Sequence, residues 1–514
     1  MAQPVGVDDA LDTLVQQFSD PLACLRELVQ NSLDAGSRQI DVTFEHADGV
    51  MTIEVQDYGE GMDRAIIDTR LTRLFSSSKE GDFTKIGRFG IGFVSVFALK
   101  PDAVCVDTGR GGERWRILFK QDRSFVRIAL DEPVAGTRIR ILKAVTAERC
   151  EGLRARAGEV LRYWCKHVEG EIWLDGSLVS GPLALDALCE VRHAEEGTLV
   201  LVGVPTDGRT FAGFYNKGLT LHEGPEQGLA GLAFKVSSRY LEHTLTRDNV
   251  LHDAQYERAM AIVRRLAGQP LHAALLAQAC AGGTQQTWRA LADRLRLGAV
   301  PAELLGEPVL PAEGGALSIS AVRQAASRGR LYHAPEADAL SARRHQAGDR
   351  VLLLPEAALG AAREAAGADV PALHRRFVLP RLPETSKENE RFRPLQEATR
   401  RLLGAVGAKL GDVVLAHLPP ALADDAAITT PDATEPVPMA ELRRLDAGLL
   451  ARKRTLVVNV DHPTVAHLIR LAATEPAAAA WMLVRLFFLR SPVDPDRDAA
   501  LLAATLRLRG EGGR

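Results

Sequence analysis

Apolar positions along the first 145 or so residues follow helical and strand periodicities in turn. After Ser19-Asp20-Pro21, which is typical of a helix start, apolar residues recur at helical spacing at Leu22, Leu25, Val29 and Leu33. The segment MTIEVQ (51–56) alternates apolar and polar side chains as a strand does, and TRIRIL (137–142) repeats that alternation. These patterns predict a mixed α/β domain.

A second mixed region follows, with three strand candidates: EIWLDG, TLVLVGV and TFAGFYNKGLTL. A helix is predicted near residues 255–267, and helical sequence rich in alanine and leucine continues to about residue 300.

The remaining sequence predicts strands that are followed by helices. The strands are RLYHAP (330–335), DRVLLLPEAAL (349–359) and TLVVNV (455–460). Two polar stretches that contain proline, 379–394 and 418–439, predict linkers or long loops.

Length, charge and cysteine content narrow the class of protein. A chain of 514 residues exceeds one compact core and predicts roughly three or four domains. The formal net charge of -3 offers no global attraction to DNA or acidic lipid. Six scattered cysteines without a C-x-x-C pair predict reduced thiols, and no structural zinc site is visible. The sequence shows neither a signal peptide nor a membrane span, so we expect a cytoplasmic protein.

The polar face of the first predicted helix carries oxygen donors at regular spacing. Glu27, Asn31 and Asp34 fall at i, i+4 and i+7, within about 60° of one another and opposite the apolar stripe. Oxygen ligands suit Mg²⁺, and a carboxylate beside the ion can orient an attacking water. Taken alone, a solvated helix face explains the same residues.

A second candidate element begins where the strand MTIEVQ ends, at Asp57-Tyr58-Gly59-Glu60-Gly61-Met62. A carboxylate at a strand end can accept a hydrogen bond from an exocyclic amine. Glycines beside it let a flat ring approach the main chain closely. The alternative interpretation is a D-x-G turn with a purely structural role.

A third element is the glycine-rich segment Gly87-Arg88-Phe89-Gly90-Ile91-Gly92-Phe93, which precedes the apolar VSVFAL. It is neither a Walker loop nor a dinucleotide-binding turn, but main-chain N–H groups at a helix start can cradle phosphate. The preceding polar segment SSSKEGDF (76–83) contains Lys79, which can meet a phosphate, and is typical of a mobile lid. Gly136-Thr137 opens the last strand, where a hydroxyl can reach an adenine edge through water.

In this order and spacing, L-R-E-L-V-Q-N-S-L-D-A, D-Y-G-E-G-M, G-R-F-G-I-G-F and G-T resemble the Bergerat nucleotide-binding fold of the GHKL ATPases. Within that superfamily, FSDPLACLRELVQNSLDA and GRFGIGFVSVF are most similar to the ninety-kilodalton heat-shock chaperones. The resemblance is clear to about residue 145, weaker to about residue 270, and extends at most through the α/β pattern at 330–375.

The resemblance implies a role for each motif residue. Glu27 matches the general base, Asn31 the Mg²⁺ ligand and Asp57 the carboxylate that recognises adenine. The other residues expected to bind the nucleotide are Asp34, Gly61, Met62, Lys79, Gly90, Ile91, Gly92, Phe93 and Thr137.

Farther along, GLAFKVSSRYLEHTLTRDNVL (231–251) resembles the middle-domain segment of these chaperones, in which an arginine reaches the γ-phosphate. Arg247 occupies that position, and its planar charged fork suits developing phosphoryl charge. An exposed loop arginine without a role at the phosphate is an equally good interpretation of Arg247. The family has a glutamine four residues after this arginine, and the present sequence has Leu251 there. Contact with the γ-phosphate is therefore expected to be rearranged or to rest on Arg247 alone.

Two further candidates favour structural interpretations. Lys217, in FYNKGLT, is similar to the middle-domain lysine of DNA-acting relatives, but an exposed hairpin lysine is the expected answer. Asp461-His462-Pro463 superficially resembles a catalytic dyad. The simpler interpretation is that Asp461 caps a helix whose first turn contains Pro463.

The resemblance implies an α/β (α+β) fold with an N-terminal Bergerat-fold α/β sandwich, a mixed α/β middle domain and a helix-rich C-terminal region. The expected boundaries are 1–147, 148–275, 276–390 and 391–514, the last a possible dimerisation region. We expect an ATP-hydrolysing, Mg²⁺-dependent chaperone that forms a homodimer and acts on client proteins. The alternatives are a nucleotide-gated signalling or assembly module and a DNA-processing relative, against which the near-neutral charge weighs.

Overall fold

The computed structural model describes residues 20–72, 91–225, 228–229, 231–242, 249–383, 385–442, 452–489 and 494–511. The chain folds into two compact units, Met1–Ala274 and Leu275–Arg514. Helices and large sheets alternate in both, which confirms the predicted α/β (α+β) class. The four-domain division stays a prediction. Within the described ranges, no helix is both long and apolar enough to cross a membrane.

The α-helices alternate with strands through most of the chain. They are α1 (Cys24–Asp34), α2 (Arg64–Ile66), α3 (Ile91–Val94), α4 (Ala147–Trp164), α5 (Ala254–Ala267), α6 (Gln269–Cys280), α7 (Gln285–Arg296), α8 (Ile319–Ser327), α9 (Ala339–Gln346), α10 (Leu359–Ala366), α11 (Leu373–Arg376), α12 (Ser386–Ala405), α13 (Pro463–Leu471), α14 (Pro476–Phe488) and α15 (Pro495–Glu511). Shorter helical turns cover Pro21–Ala23, Ile67–Leu71, Ser95–Leu99, Ala302–Gly306, Glu356–Ala358, Pro420–Leu422 and Met439–Glu441.

The strands of the described residues fall into five sheets. Those of the first unit are β1 (Gln39–Ala47), β2 (Val50–Asp57), β3 (Ala103–Arg110), β4 (Glu113–Lys120), β5 (Phe125–Ala129), β6 (Thr137–Ala144), β7 (Glu171–Leu174), β8 (Ser177–Leu178), β9 (Ala187–Glu195), β10 (Thr198–Pro205), β11 (Phe211–Asn216), β12 (Leu219–Gly224) and β13 (Ala233–Ser238). Those of the second are β14 (Pro308–Ala312), β15 (Gly315–Ser318), β16 (Leu331–Ala334), β17 (Arg350–Leu353), β18 (Phe377–Val378), β19 (Leu410–Ala416), β20 (Ala427–Thr430), β21 (Val437–Pro438) and β22 (Arg454–Asn459).

The first unit is built on an eight-stranded sheet in the order β5-β4-β3-β6-β2-β1-β7-β8. Strands β1 and β2 are joined by the two-residue turn Asp48-Gly49, in which both residues have positive φ. That geometry matches the twist of a hairpin and favours Asp-Gly. Strand β7 extends the sheet by pairing in parallel with β1. A second sheet follows in the order β12-β11-β13-β10-β9.

Helix α1 packs its apolar stripe against the first sheet, as its periodicity predicts. Leu25, Leu28 and Val29 are at most 1% exposed and belong to one core with the inward side chains of β1 and β2. Asp20 accepts a hydrogen bond from the Leu22 N–H at 3.0 Å, which caps the turn that leads into α1. The helix is therefore fixed in place, and Ser32, one turn after Leu28 on its packed side, lies against the end of β2.

The second unit contains a four-stranded sheet in the order β15-β14-β17-β16 and a three-stranded sheet in the order β19-β22-β20. In each of them one pair of neighbours is parallel, β16 with β17 and β19 with β22. Helices α12 to α15 contribute to the core that covers the three-stranded sheet. The short pair β18 and β21 forms a separate two-stranded sheet.

Three predictions for the second unit were wrong in part. The expected linker 379–394 runs into α12, because Phe392 and Leu395 are buried at helical spacing and the helix continues through Pro394. The expected loop 418–439 contains β20, which is buried along its whole length. The strand expected over 349–359 ends at Leu353, before Pro355.

Candidate nucleotide-binding site

Asp57, the last residue of β2, is a buried carboxylate that forms no ion pair with any of the described residues. Its side chain is 6% exposed. Oδ1 accepts hydrogen bonds from the Gly59 N–H at 2.9 Å and the Thr137 N–H at 3.1 Å, and Oδ2 accepts one from the Ser32 hydroxyl at 3.2 Å. Burial raises the pKa of Asp57 above its ordinary value, and the three hydrogen bonds oppose the rise.

The carboxylate of Asp57 has room for one more donor. A carboxylate offers about four lone-pair positions, and three are taken by the hydrogen bonds just described. A buried carboxylate with a raised pKa and an open acceptor position is a candidate functional group. The exocyclic amine of adenine supplies the donor such a group needs.

The threonine predicted at the adenine end lies in a buried hydroxyl pair next to Asp57. Thr137 Oγ1 is 3.1 Å from Thr108 Oγ1, and the Thr108 hydroxyl also accepts a hydrogen bond from the Met62 N–H at 2.9 Å. Met62 is half-buried and packs against the core of the first sheet. Residues of β3, β6 and the segment after β2 therefore meet at one end of the sheet.

Two glycines let these segments approach one another. Gly136 has a φ of 61°, and a Cβ there would lie 2.7 Å from Asp57 Oδ1 and even closer to the Asp57 main-chain oxygen. Gly61 has a φ of 65°, and a Cβ there would lie 3.0 Å from the Gly136 main-chain oxygen. Any larger residue at either position would push the segments around Asp57 apart.

Glu27 and Asn31 are on the same face of α1, about one turn apart, and both lie beside Gly92. A Cβ at Gly92 would lie 3.0 Å from Glu27 Oε2 and 3.8 Å from Asn31 Nδ2. Glu27 is 5% exposed, whereas the Asn31 side chain is exposed. The glycine in the first turn of α3 thus leaves open the space in front of a carboxylate and an amide.

Asp34, at the end of α1, contacts a residue that the sequence assigned to an exposed hairpin. Its Oδ1 is 2.9 Å from Lys217 Nζ, in the turn between β11 and β12. Lys217 itself has a positive φ of 46° and its side chain is half exposed. The hairpin position was predicted correctly, and its ion pair with a candidate site residue was not predicted.

Several predicted site residues lie outside the described part of the chain: Lys79, Gly90, Arg247 and the side chain of Ile91. Phe93 is described and is 5% exposed, with its ring 5.3 Å from that of Phe119. Its side chain therefore belongs to the core, and only its main chain can face a ligand.

Two polar residues of the site were missed by sequence reasoning. Ser32 follows Asn31 directly and donates to Asp57, so the phrase Asn31-Ser32 carried that signal. Thr108 lies in β3 and meets Thr137 through sheet pairing across 29 residues of sequence. Nothing in the local sequence of β3 indicates that partner.

The residues present fit a magnesium nucleotide. Asp57 offers an acceptor for an amine, and the Asn31 amide oxygen is a hard ligand of the kind Mg²⁺ accepts beside phosphate oxygens and water. Asn31 would hold the ion, which supplies charge neutralisation for the phosphates. Glu27 is close enough to Asn31 to act on a water next to the same phosphates.

Comparison with known proteins identifies a family for the region that holds these residues. The sequence profile of the family described as histidine kinase-, DNA gyrase B-, and HSP90-like ATPase matches residues 21–124. The matched region contains α1, the end of β2 and α3, which together carry Glu27, Asn31, Asp57 and Gly92.

Similar curated proteins come from two groups. The chaperone protein HtpG of Methylococcus capsulatus is 28% identical over 178 residues, which is 28% of this chain and 27% of that protein. HtpG of Chlorobaculum tepidum is 27% identical over 205 residues, 33% of this chain and 32% of that protein. The DNA mismatch repair protein MutL of Streptococcus sanguinis is 31% identical over 131 residues, 24% of this chain and 19% of that protein.

The matched segments span at most about a third of the length of these relatives. The N-terminal part of this chain accordingly carries a domain of the GHKL ATPase family, to which histidine kinases, DNA gyrase B and HSP90 give their names.

Proposed function

We propose that the first unit binds ATP with Mg²⁺ and hydrolyses its γ-phosphate. One observation carries this proposal: α1 places Ser32 against Asp57 and, on its other side, Glu27 and Asn31 against Gly92. A single rigid helix thus sets the distance between an adenine acceptor and a phosphate-side carboxylate. If the D-x-G turn at Asp57 had only a structural role, nothing would require Glu27 and Asn31 to lie beside Gly92.

In the proposed reaction, Asp57 accepts a hydrogen bond from the adenine amine and Asn31 holds the metal. The carboxylate of Glu27 takes a proton from the attacking water, which makes it the general base. Because Glu27 is nearly excluded from solvent, the water it orients is held away from bulk exchange.

Arg247 is proposed to stabilise the charge that develops on the γ-phosphate. The support is its place in the segment similar to the chaperone middle domain and its planar, permanently charged fork. Leu251, where the family has glutamine, is 41% exposed. A side chain without a hydrogen-bonding group cannot replace that glutamine, so the arginine would act without it.

For the whole chain we propose an ATP-dependent molecular chaperone that remodels client proteins. The two HtpG relatives match over 178 and 205 residues, beyond the length of the profile match, which supports this proposal over a module that shares only the nucleotide site. A homodimer and a cytoplasmic location are part of the same proposal, and light scattering of the purified chain tests the first.

The test is suppression of aggregation of a heat-denatured enzyme, with and without ATP. A chaperone lowers light scattering in a nucleotide-dependent way, and the Asp57→Asn variant does not respond to ATP. Equal scattering with and without the protein, while ATP turnover is intact, would instead indicate the nucleotide-gated signalling or assembly module.

A DNA-processing function is a second candidate because MutL also matches, and because Lys217 reaches the helix that carries Glu27. A protein that binds DNA through basic side chains releases counterions from the phosphates, so its affinity for DNA falls steeply as the salt concentration rises. DNA binding at 50 mM salt that is lost by 200 mM would support this candidate. Its absence at both concentrations would exclude it.

A further inference from the structure

A cavity of about 700 Å³ in the second unit lies where strand ends from its two α/β sheets meet. His417 follows β19 and Asp461 follows β22, and these two strands are parallel neighbours. Asp338 follows β16, which is parallel to β17 in the other sheet. Crevices at the carboxyl ends of parallel strands are where open α/β sheets bind ligands.

The cavity is bordered by two histidine–carboxylate pairs. His417 Nδ1 is 2.9 Å from Asp461 Oδ2, and His374 Nε2 is 3.2 Å from Asp338 Oδ2. Asp461 is therefore a partner of His417 and not the helix cap that the sequence predicted. His462 occupies the cap position of α13, without a side-chain hydrogen bond to the helix.

A carboxylate can only accept, so the ring nitrogen that faces it must carry the hydrogen. In His417 this fixes the hydrogen on Nδ1 and leaves Nε2 available to another group. The negative charge of each aspartate is thus directed at its own imidazole.

Two arginines on the same cavity make no side-chain hydrogen bond with any residue in the described ranges, although Arg343 forms a long ion pair with Glu435. Arg343 Nη1 is 3.8 Å from Glu435 Oε1, too far for a hydrogen bond. Arg381 makes no side-chain hydrogen bond or ion pair with any residue in the described ranges, although its main chain bonds to His417 at 2.8 and 3.1 Å. Guanidinium groups with free donors bind planar or tetrahedral oxyanions in bidentate fashion.

The floor of the cavity is apolar. Leu340, Val378 and Leu418 are at most 9% exposed and line it together with the arginines and histidines. The volume falls within the range of about 300–1,000 Å³ that small-molecule sites occupy. Fixed polar groups around an apolar floor are typical of such sites.

We propose that this cavity binds a small organic ligand that carries a phosphate or carboxylate group, held by Arg343 and Arg381 and flanked by His374 and His417. The ligand's apolar body packs on Leu340, Val378 and Leu418. The cavity is lined by residues of the second unit alone, and the proposal does not depend on the proposed ATPase activity.

The test uses the full chain with ¹³C-labelled histidine, titrated with inorganic pyrophosphate in one experiment and with citrate in another. His374→Gln and His417→Gln assign the two resonances among the 13 histidines. At least one probe should shift both resonances and leave those of distant histidines in place. Which probe binds more tightly identifies the ligand's anionic group.

Arg343→Ala and Arg381→Ala should each weaken the binding about ten-fold or more, because each removes a charge-assisted hydrogen bond. Arg375→Ala is the matched control, since Arg375 is exposed on the adjacent α11 without lining the cavity, and it should change the affinity less than two-fold. Asp57→Asn should leave the affinity of the cavity for the probe unchanged, which distinguishes binding here from binding at the nucleotide site. No shift with either probe, or wild-type affinity in both cavity arginine variants, would overturn the proposal.

Discussion

Replacing Asp57 by asparagine should abolish tight ATP binding and leave the fold intact. Oδ1 of the asparagine can keep both hydrogen bonds from main-chain N–H groups. Its amide nitrogen then takes the place of Oδ2, where the Ser32 hydroxyl can turn to accept instead of donating. The buried negative charge disappears without loss of a partner.

The size of the effect follows from what the amide nitrogen cannot do. It cannot accept from the adenine amine, so the complex loses a hydrogen bond to a charged group, worth about 1.5–3 kcal/mol, and leaves a donor unpaired. A total near 3 kcal/mol corresponds to about 100-fold weaker binding. The free energy of unfolding should change by less than about 1 kcal/mol, because relief of desolvation offsets any loosened hydrogen bond.

The pH dependence has a defined sign. Burial raises the pKa of Asp57 in the folded chain, so the folded state binds its proton more tightly than the unfolded state does. That contribution to stability is complete below the unfolded pKa and is lost as pH rises through the folded one. The free energy of unfolding of the wild type should therefore fall relative to Asp57→Asn as pH rises through that window.

Calorimetric titration with ATP measures the change in affinity. Urea unfolding at several pH values measures the change in the free energy of unfolding. Asp41→Asn, the same chemical change in the neighbouring strand β1, is the control and should leave ATP affinity unchanged. ATP affinity within about three-fold of wild type in Asp57→Asn would refute the assignment of Asp57 to adenine. A loss of several kcal/mol of stability would refute the hydrogen-bond reasoning.

Other predictions concern the surroundings of the site. Gly136→Ala should lower ATP affinity and should lower the free energy of unfolding in urea by at least about 2 kcal/mol. Gly49→Ala, which also has positive φ but has open space around it, should lower the free energy of unfolding by only about 1 kcal/mol. A double-mutant cycle on Lys217→Ala and Asp34→Asn should give a coupling below about 1 kcal/mol that shrinks with salt, since the pair is partly exposed. Burial and neighbouring lysines lower the pKa of His167 to about 4. NMR titration should therefore find the His167 imidazole neutral at pH 6. Its contribution to the free energy of unfolding should be lost as pH falls from about 6.5 towards 4, because the unfolded state then binds the proton more tightly.

The elements that the sequence predicted well are those with strong local periodicity. Helix α1 and strand β2 carry an apolar stripe and an alternating pattern, so their positions and the placement of Glu27, Asn31 and Asp57 followed from the motifs. Asp57 was expected at the end of its strand and is found there, buried.

What could not be predicted depends on contacts between distant segments. Lys217 and Asp34 are 183 residues apart in sequence, and His417 and Asp461 are 44 apart. Helix α12 continues through Pro394 because buried neighbours at helical spacing outweigh the local preference of proline. Periodicity and local propensity carry no information about such pairings.

The central claim is that Glu27 is the general base of an ATPase. Steady-state ATP turnover and ATP affinity of the wild type, of Glu27→Gln and of Glu45→Gln, a control on the exposed end of β1, test it directly. We expect Glu27→Gln to lose about 100-fold or more in turnover, with ATP affinity within about three-fold of wild type, and Glu45→Gln to match wild type. Equal turnover in wild type and Glu27→Gln, or ATP binding without turnover in the wild type, would contradict the account.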